Sequence, residues 1–193
     1  NYTYFMREPK HFDFLRDKIL TNIKPEWGRI SYQIWCAGCS SGEECYTLAM
    51  LLQDYKDQGG WLPSFSIVGT DISEQALAVA QKGRYPVREL ENIPALWQQK
   101  YLSMDEAGTS FDIGRAIREK VRFQRMNLLK PSVGLGQYDL VLCRNVMIYF
   151  NEESRKKLIE KLYRALKPGG YLFVGHTELL PRNHELFEYV CPA

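Results

Sequence analysis

The chain contains no unbroken apolar run of about 18 residues, so no membrane-spanning helix is predicted. Its first residues show no signal-peptide pattern either. Charge of one sign is missing: 25 basic side chains face 23 acidic ones, and no global field favours nucleic acid. Histidine is scarce, with three in all, and none stands beside the cysteines to complete a zinc set, so no metal site is expected. The five cysteines are few and odd in number, which argues for free thiols in a reducing compartment rather than a disulfide framework. Also absent is a phosphate-cradling glycine loop with its lysine.

What is present is enough apolar material, 45% of 193 residues, for one domain with a small appendage. The first residue is Asn1 rather than a methionine, and the chain is expected to be an excised part of a longer protein. Hydrophobic patterning alternates strand and helix, which predicts an α/β fold with a mainly parallel sheet covered on both faces. Phe12, Leu15 and Ile19 mark a first helix, and its Lys10, Arg16, Lys18 and Lys24 read first as a solvated face, with attraction of an acidic partner as the alternative. Strands are expected over 30–37, 65–70, 121–126, 138–143, 171–174 and 186–190, the last two paired antiparallel. Ser73 should cap a helix that Gly83 closes, and 151–153 should open another that the Lys167-Pro-Gly-Gly170 run stops. The polar residues 100–118 read as a hairpin excursion.

The chemistry concentrates in Ile34-Trp-Cys-Ala-Gly-Cys-Ser-Ser-Gly-Glu-Glu-Cys-Tyr46. An apolar strand ends in a loop containing Gly38, and two carboxylates then open a helix. A bare backbone beside acidic groups suits a ligand with hydroxyls and positive charge, not a phosphate. Other readings compete. Ser41 and Glu44 have the spacing of a capping box, Asp71 could serve only its own turn, and Cys36-Ala-Gly-Cys39 is formally a redox CxxC. Yet Gly38, Asp71, Asn127 and Arg144-Asn145 fall after four successive strands, where open α/β sheets bind ligands. Together they favour a nucleoside-like ligand with a diol.

Five motifs in order then carry a resemblance. They are Gly38-Cys-Ser-Ser-Gly-Glu-Glu44, Gly69-Thr-Asp-Ile-Ser73, Asn127-Leu-Leu, Cys143-Arg-Asn-Val-Met-Ile-Tyr-Phe150 and Lys167-Pro-Gly-Gly-Tyr-Leu-Phe-Val-Gly-His-Thr-Glu178. With the opening Asn1-Tyr-Thr-Tyr-Phe-Met-Arg-Glu8, they resemble the catalytic domain of the chemotaxis receptor methyltransferases, the CheR family, over essentially the whole chain. The resemblance implies a class I S-adenosylmethionine-dependent methyltransferase fold, Rossmann-like, with one antiparallel strand in the sheet and a small β-subdomain near 100–118. It implies a single methyltransferase domain over 1–193 without the family's N-terminal helical domain.

By motif position it assigns Asn1, Thr3 and Arg7 to the methionine end of S-adenosylmethionine and Glu44 to its ammonium. Asp71 falls to the ribose and Asn127-Leu128 to the adenine; Gly38, Arg144 and Asn145 complete the pocket, and Tyr149 stands by the transferred methyl. Arg7 and Tyr149 are the implied catalytic pair. The product is S-adenosylhomocysteine, and the implied substrates are glutamate side chains on cytoplasmic helices of chemoreceptors. The expected protein is cytoplasmic and monomeric, without nucleic-acid partner or membrane insertion. Cys45 departs from the proline found in many members. Only Gly108 stands where members tethered to a receptor's C-terminal pentapeptide carry a glycine-richer loop, so tether-independent action is expected.

A carboxylate acceptor with pKa about 4.3 is ionised at pH 7 and needs no general base, consistent with the scarcity of histidine. His176 is expected to hold a turn through a backbone hydrogen bond. Methylation of a base or amine is a competing enzyme reading, but Asn145-Val-Met-Ile148 lacks the two prolines common after the fourth strand in such enzymes. A non-catalytic cofactor-sensing domain is a third, disfavoured by the presence of Arg7 and Tyr149.

Overall fold

The computed structural model describes residues 3–25, 28, 30–130 and 137–190. Five parallel strands form its centre: β1 (Ser31–Ala37), β2 (Ser64–Asp71), β6 (Val121–Arg125), β7 (Tyr138–Cys143) and β8 (Leu166–Val174), in the spatial order β6-β2-β1-β7-β8. The chain winds outward from β1 to β6, then returns to lay β7 on the opposite side of β1. That reversal makes β1 and β7 the topological switch point.

Alternation along the strands supplies both faces of the sheet. Ile34, Cys36, Leu140 and Leu142 enter one apolar cluster with helix α2 (Glu43–Asp57), whereas Trp35, Ala37, Val141 and Cys143 enter another with α6 (Glu152–Ala165). A central strand buried on both sides reads as a near-continuous apolar run, as β7 does apart from Asp139. Helix α1 (Pro9–Phe14) continues through a π turn at Leu15–Ile19 and buries Phe12, Leu15 and Ile19 against the first cluster. Arg16 on its basic face is held by Asp13 and Asp17, so the expected positive stripe is partly neutralised.

Helix α3 (Glu74–Lys82) starts at Ser73, whose hydroxyl accepts the Ala76 N–H at 3.2 Å, and Gly83 ends it at φ 64°. Between α3 and β6, strand β3 (Arg84–Pro86) joins a hairpin of β4 (Leu102–Met104) and β5 (Ser110–Ile113) in an antiparallel sheet, with α4 (Ala95–Tyr101) before the hairpin and the short α5 (Arg115–Arg118) after it. All four cysteines at 36, 39, 45 and 143 are free and buried, so the CxxC pair serves as packing.

One expectation fails. Residues 186–190 form no strand; Phe187 instead packs edge-on against Tyr163 at 5.6 Å as part of an irregular segment over α6, so among the described residues the central sheet has no antiparallel strand. The helix stops at Ala165, before the Lys167-Pro-Gly-Gly170 run, which itself belongs to β8 and enters it through a register shift opposite Tyr138 and Leu140. Asn151 caps α6 by accepting the Ser154 N–H at 2.9 Å. Asn151→Ala should therefore lower stability by about 1 kcal/mol in urea unfolding, without changing the dependence on denaturant.

Candidate functional site

A cavity of about 370 Å³ opens at the carboxyl ends of β1, β2, β6 and β7. Its volume falls in the range of small-molecule sites. Thr3, Arg7, Gly38, Glu44, Asp71, Asn127, Leu128, Arg144, Asn145 and Tyr149 all line it. Ten of the eleven residues singled out from the sequence thus meet in one place, and Asn1 lies outside the described residues. Phe12, Ile72, Met126, Val146, Ile148 and Phe150 give the rest of the wall its apolar character.

The loop after β1 is shaped by backbone contacts. The Gly38 and Cys39 amides donate to the Thr70 carbonyl at 2.8 and 2.9 Å, which fastens the loop to the end of β2. Gly38 adopts φ 81°, and a Cβ there would stand 2.5 Å from Val146 Cγ2, so both conformation and space demand glycine. Asp71 is only 8% exposed; its Oδ2 accepts the Ser40 N–H at 2.8 Å and its Oδ1 the Ser73 N–H at 2.9 Å. The turn-residue reading of Asp71 is therefore realised. Each carboxylate oxygen still has acceptor capacity left, so facing the cavity is compatible with it.

The capping-box reading of Ser41 and Glu44 does not hold. Helix α2 begins at Glu43 with Gly42 at its N-cap and no side-chain cap, and the Ser41 hydroxyl donates to Glu43 at 2.8 Å. Glu44 lies 3.4 Å from Arg144 Nε instead. Burial pushes the Glu44 carboxyl up, opposed by that guanidinium.

Arg144, 6% exposed, is the centre of the polar wall. Its Nη2 donates to the Arg7 carbonyl, its Nε stands 3.5 Å from Glu8 Oε2, and its guanidinium lies 5.2 Å from the centre of the Phe12 ring. Glu8, at φ 56°, also meets His176 Nδ1 at 2.9 Å through Oε1. His176 thus bonds a side chain, not the backbone expected of it. Burial opposes ionisation of Glu8, but the His176 hydrogen bond and the Arg144 charge outweigh it, so its carboxyl ends below the usual range.

Several buried polar atoms here have no hydrogen-bond partner among the described residues: Arg144 Nη1, Asn145 Oδ1 and Glu8 Oε2 among them. Leaving such atoms unmet is costly, and Arg144 and Asn145 line the cavity. A ligand that carries an ammonium group, a carboxylate and a diol offers donors and acceptors for this donor set. No histidine lines the cavity among the described residues, and no cluster there could hold a metal.

Sequence reasoning gave no role to Glu8 or Glu178. Glu178 stood inside a quoted motif, and Glu8 next to Arg7, but their partners lie far along the chain. Tyr149 is 72% exposed at the cavity rim.

A parallel sheet whose switch point opens into such a cavity is the arrangement of doubly wound α/β folds, the class I S-adenosylmethionine-dependent methyltransferases among them. Solved structures with this architecture include PKMT2 of Rickettsia typhi, with a TM-score of 0.53 at 17% identity over 90% of this chain and 26% of that one. Another is the glycopeptide N-methyltransferase MtfA complexed with sinefungin, with a TM-score of 0.52 at 13% identity over 90% of this chain and 50% of that one. Residues 1–192 match the family model described as CheR methyltransferase, SAM binding domain. The chain is 40% identical over its whole length to a chemotaxis protein methyltransferase of Borreliella burgdorferi, spanning 69% of it. It is 34% identical over 98% of its length to chemotaxis protein methyltransferase 1 of Pseudomonas aeruginosa, spanning 70% of that protein. The chain belongs to the CheR methyltransferase family, and S-adenosylmethionine is its cofactor.

Two predictions concern this wall. Gly38→Ala should both destabilise the fold and weaken S-adenosylhomocysteine binding, and Val146→Ala in the same chain should restore part of the loss by removing the 2.5 Å contact; paired calorimetry and thermal unfolding would show it. Burial, aided by the Arg144 charge, pushes His11 down to about 4, so at neutral pH its 3.3 Å contact with Glu8 involves an uncharged ring. The unfolded chain takes up this proton first, so stability falls as pH drops from about 6.5 towards 4. His11→Phe, which keeps a ring beside Phe173 at the present 5.3 Å contact, should lose less stability than wild type between pH 7 and pH 5 in urea unfolding.

Proposed function

We propose that this protein transfers the methyl group of S-adenosylmethionine to glutamate side chains on the cytoplasmic helices of chemoreceptors. The observation that carries the proposal is the convergence of carboxylate, amide, guanidinium and phenol groups on one cavity whose rim leaves Tyr149 exposed to an incoming protein surface. In this reading the protein works as a monomer in the cytoplasm. No helix among the described residues is long and apolar enough to cross a membrane, which is compatible with that.

S-adenosylmethionine, when bound, supplies an electrophilic methyl on a sulfonium. Asp71 would accept hydrogen bonds from the ribose hydroxyls while it keeps the Ser40 and Ser73 amides. Glu44, Asn145, Arg144, Thr3 and Arg7 would hold the amino-acid end, and Asn127-Leu128 the adenine. The Asn127 side chain already accepts the Leu129 N–H at 2.9 Å, which fixes its loop for that contact.

The acceptor is a carboxylate ionised at neutral pH, so the residues need only align it and exclude water. Favourable alignment accounts for roughly 7–11 kcal/mol of a barrier. Arg7 would orient the carboxylate, and its charge must not saturate the attacking oxygen, because attraction present before reaction slows the step it prepares. Tyr149 would offer a hydroxyl and a ring face compatible with a sulfonium, a contact of roughly 0.5–2 kcal/mol.

The reading includes independence from a receptor tether. The hairpin loop is closed on itself: Asp105 accepts from the backbone and hydroxyl groups of both Thr109 and Ser110, and those hydrogen bonds hold its carboxyl down near 2. The outer strand β4 offers only three residues of edge.

Labelled methyl should pass from the cofactor to receptor cytoplasmic fragments and be released as methanol by base, at similar rates with and without the receptor's C-terminal pentapeptide. Label on acid-stable amines would overturn the ester assignment. Asp71→Ala should weaken cofactor binding at least about tenfold in calorimetry, whereas Tyr149→Phe should leave binding near wild type and slow transfer.

A further inference from the structure

Behind the cavity, one carboxylate gathers the turn that forms part of its wall. Glu178 is 1% exposed and does not line the cavity itself. Its Oε2 accepts the Asn145 N–H at 2.5 Å and the Gly175 N–H at 3.1 Å, and its Oε1 accepts the Ile148 N–H at 3.1 Å. Two of these amides belong to the segment that leaves β7 and carries Asn145 and Tyr149. The third belongs to the turn after β8, in which Glu178 also donates its own N–H to the Gly175 carbonyl at 2.8 Å. Two adjacent strand ends are thus joined through one side chain.

Asn145 adopts φ 59°, a left-handed conformation that asparagine enters more readily than other non-glycine side chains, and Glu178 fixes its N–H in that conformation. Gly175 shows how closely the carboxylate is seated: a Cβ there would stand 2.8 Å from Glu178 Oε2 and 3.0 Å from the Asn145 nitrogen. The Arg155 guanidinium holds the other side of the residue, donating to the Glu178 carbonyl at 3.2 Å. An ionised carboxylate is acceptor-only and meets three N–H donors without mismatch. A carboxamide of the same shape turns one of its two atoms into a donor facing a donor.

We propose that Glu178 is a positioning residue for methyl transfer: by holding the Asn145 and Ile148 amides it fixes the turn that sets Asn145 against the cofactor and Tyr149 at the rim where the acceptor arrives. This rests on the methyltransferase reading above. Glu178 touches neither reactant, so its effect is on geometry at the reacting centre and not on the affinity of the receptor surface.

Glu178→Gln tests it. At saturating cofactor, kcat for methyl transfer to receptor fragments should fall at least about tenfold while KM for the fragment changes little, and hydrogen exchange should quicken at the Asn145 and Ile148 amides. Gly175→Ala keeps the carboxylate but displaces it and should give the same kinetic signature; the double variant should be no worse than Glu178→Gln alone. If Glu178→Gln does not fold, Gly175→Ala carries the test. Wild-type kcat in folded Glu178→Gln and Gly175→Ala, or a loss that vanishes once activity is scaled to the folded fraction, overturns the proposal. A wild-type protein that binds cofactor but transfers no methyl would remove the functional reading instead, and unchanged exchange at Asn145 and Ile148 would still remove this one.

Discussion

The buried guanidinium of Arg144 is the constraint on which the site depends. A charge taken out of water must find partners close by, and removing a partner costs far more than the pair contributes. Arg144 finds Glu44 on the first turn of α2, Glu8 beside α1 and the carbonyl of Arg7 on the opening segment. Two pieces of chain that share no strand pairing, the Arg7-Glu8 segment before α1 and the first turn of α2, are therefore drawn to the end of β7. The opening segment is fastened a second time where the Met6 N–H donates to the Thr47 hydroxyl at 3.2 Å, on the same helix as Glu44. Arg7 owes its place at the cavity to these contacts.

The same wall separates two kinds of chemistry. Around Arg144 the charges are matched but incompletely hydrogen-bonded, with buried atoms still unmet among the described residues. Such a region is suited to a zwitterion, which can satisfy donor and acceptor together. Toward Asn127, Leu128 and Ile72 the wall is mostly apolar, suited to a flat ring system. A single ligand with a charged end, a hydroxylated middle and an aromatic end matches the sequence of environments. A simple metabolite with only one of these parts would leave either the polar atoms or the apolar surface unmatched.

Most of this frame was legible because it is written in local patterns. The 138–143 run is apolar at every position but Asp139, which pairs with Lys167 at 2.8 Å, and the structure buries all six residues and gives β7 those bounds. Ser73 and Gly83 announce helix ends by chemistry that acts within a few residues. Gly38, Asp71, Asn127, Arg144 and Asn145 were legible for another reason: each lies at or just past a strand end, and a parallel sheet brings such positions to one edge, whereas Thr3 and Arg7 precede β1 and came only from the motif resemblance. What failed was non-local. Residues 186–190 have the composition of a strand, but Phe187 finds its burial against Tyr163 and leaves no pairing with β8. Glu44 has capping-box spacing, yet the buried Arg144, a hundred residues later, offers it a stronger partner than its own helix amides. His176 meets Glu8 across almost the whole chain. None of these choices can be read from a window of neighbouring residues.

Asp71 and Glu178 express one solution in two settings. Each is a buried carboxylate that collects backbone N–H groups from two segments, and each thereby fixes a loop at a strand end. Asp71 joins β2 to the loop of β1; Glu178 joins the end of β8 to that of β7. Asp71 accepts two such groups and faces the cavity, which leaves lone pairs for a ligand, whereas Glu178 accepts three and is shut away from it. The difference follows from position: Asp71 holds the β1 loop to the end of β2 where both border the cavity, and Glu178 joins the β7 and β8 turns behind it. A carboxylate is the appropriate group in both places, because amides at strand ends are donors with no partner in the sheet, and only an acceptor-only side chain can serve several of them at once. The cavity is thus framed by loops whose conformations are set by hydrogen bonds to buried carboxylates and not by packing alone.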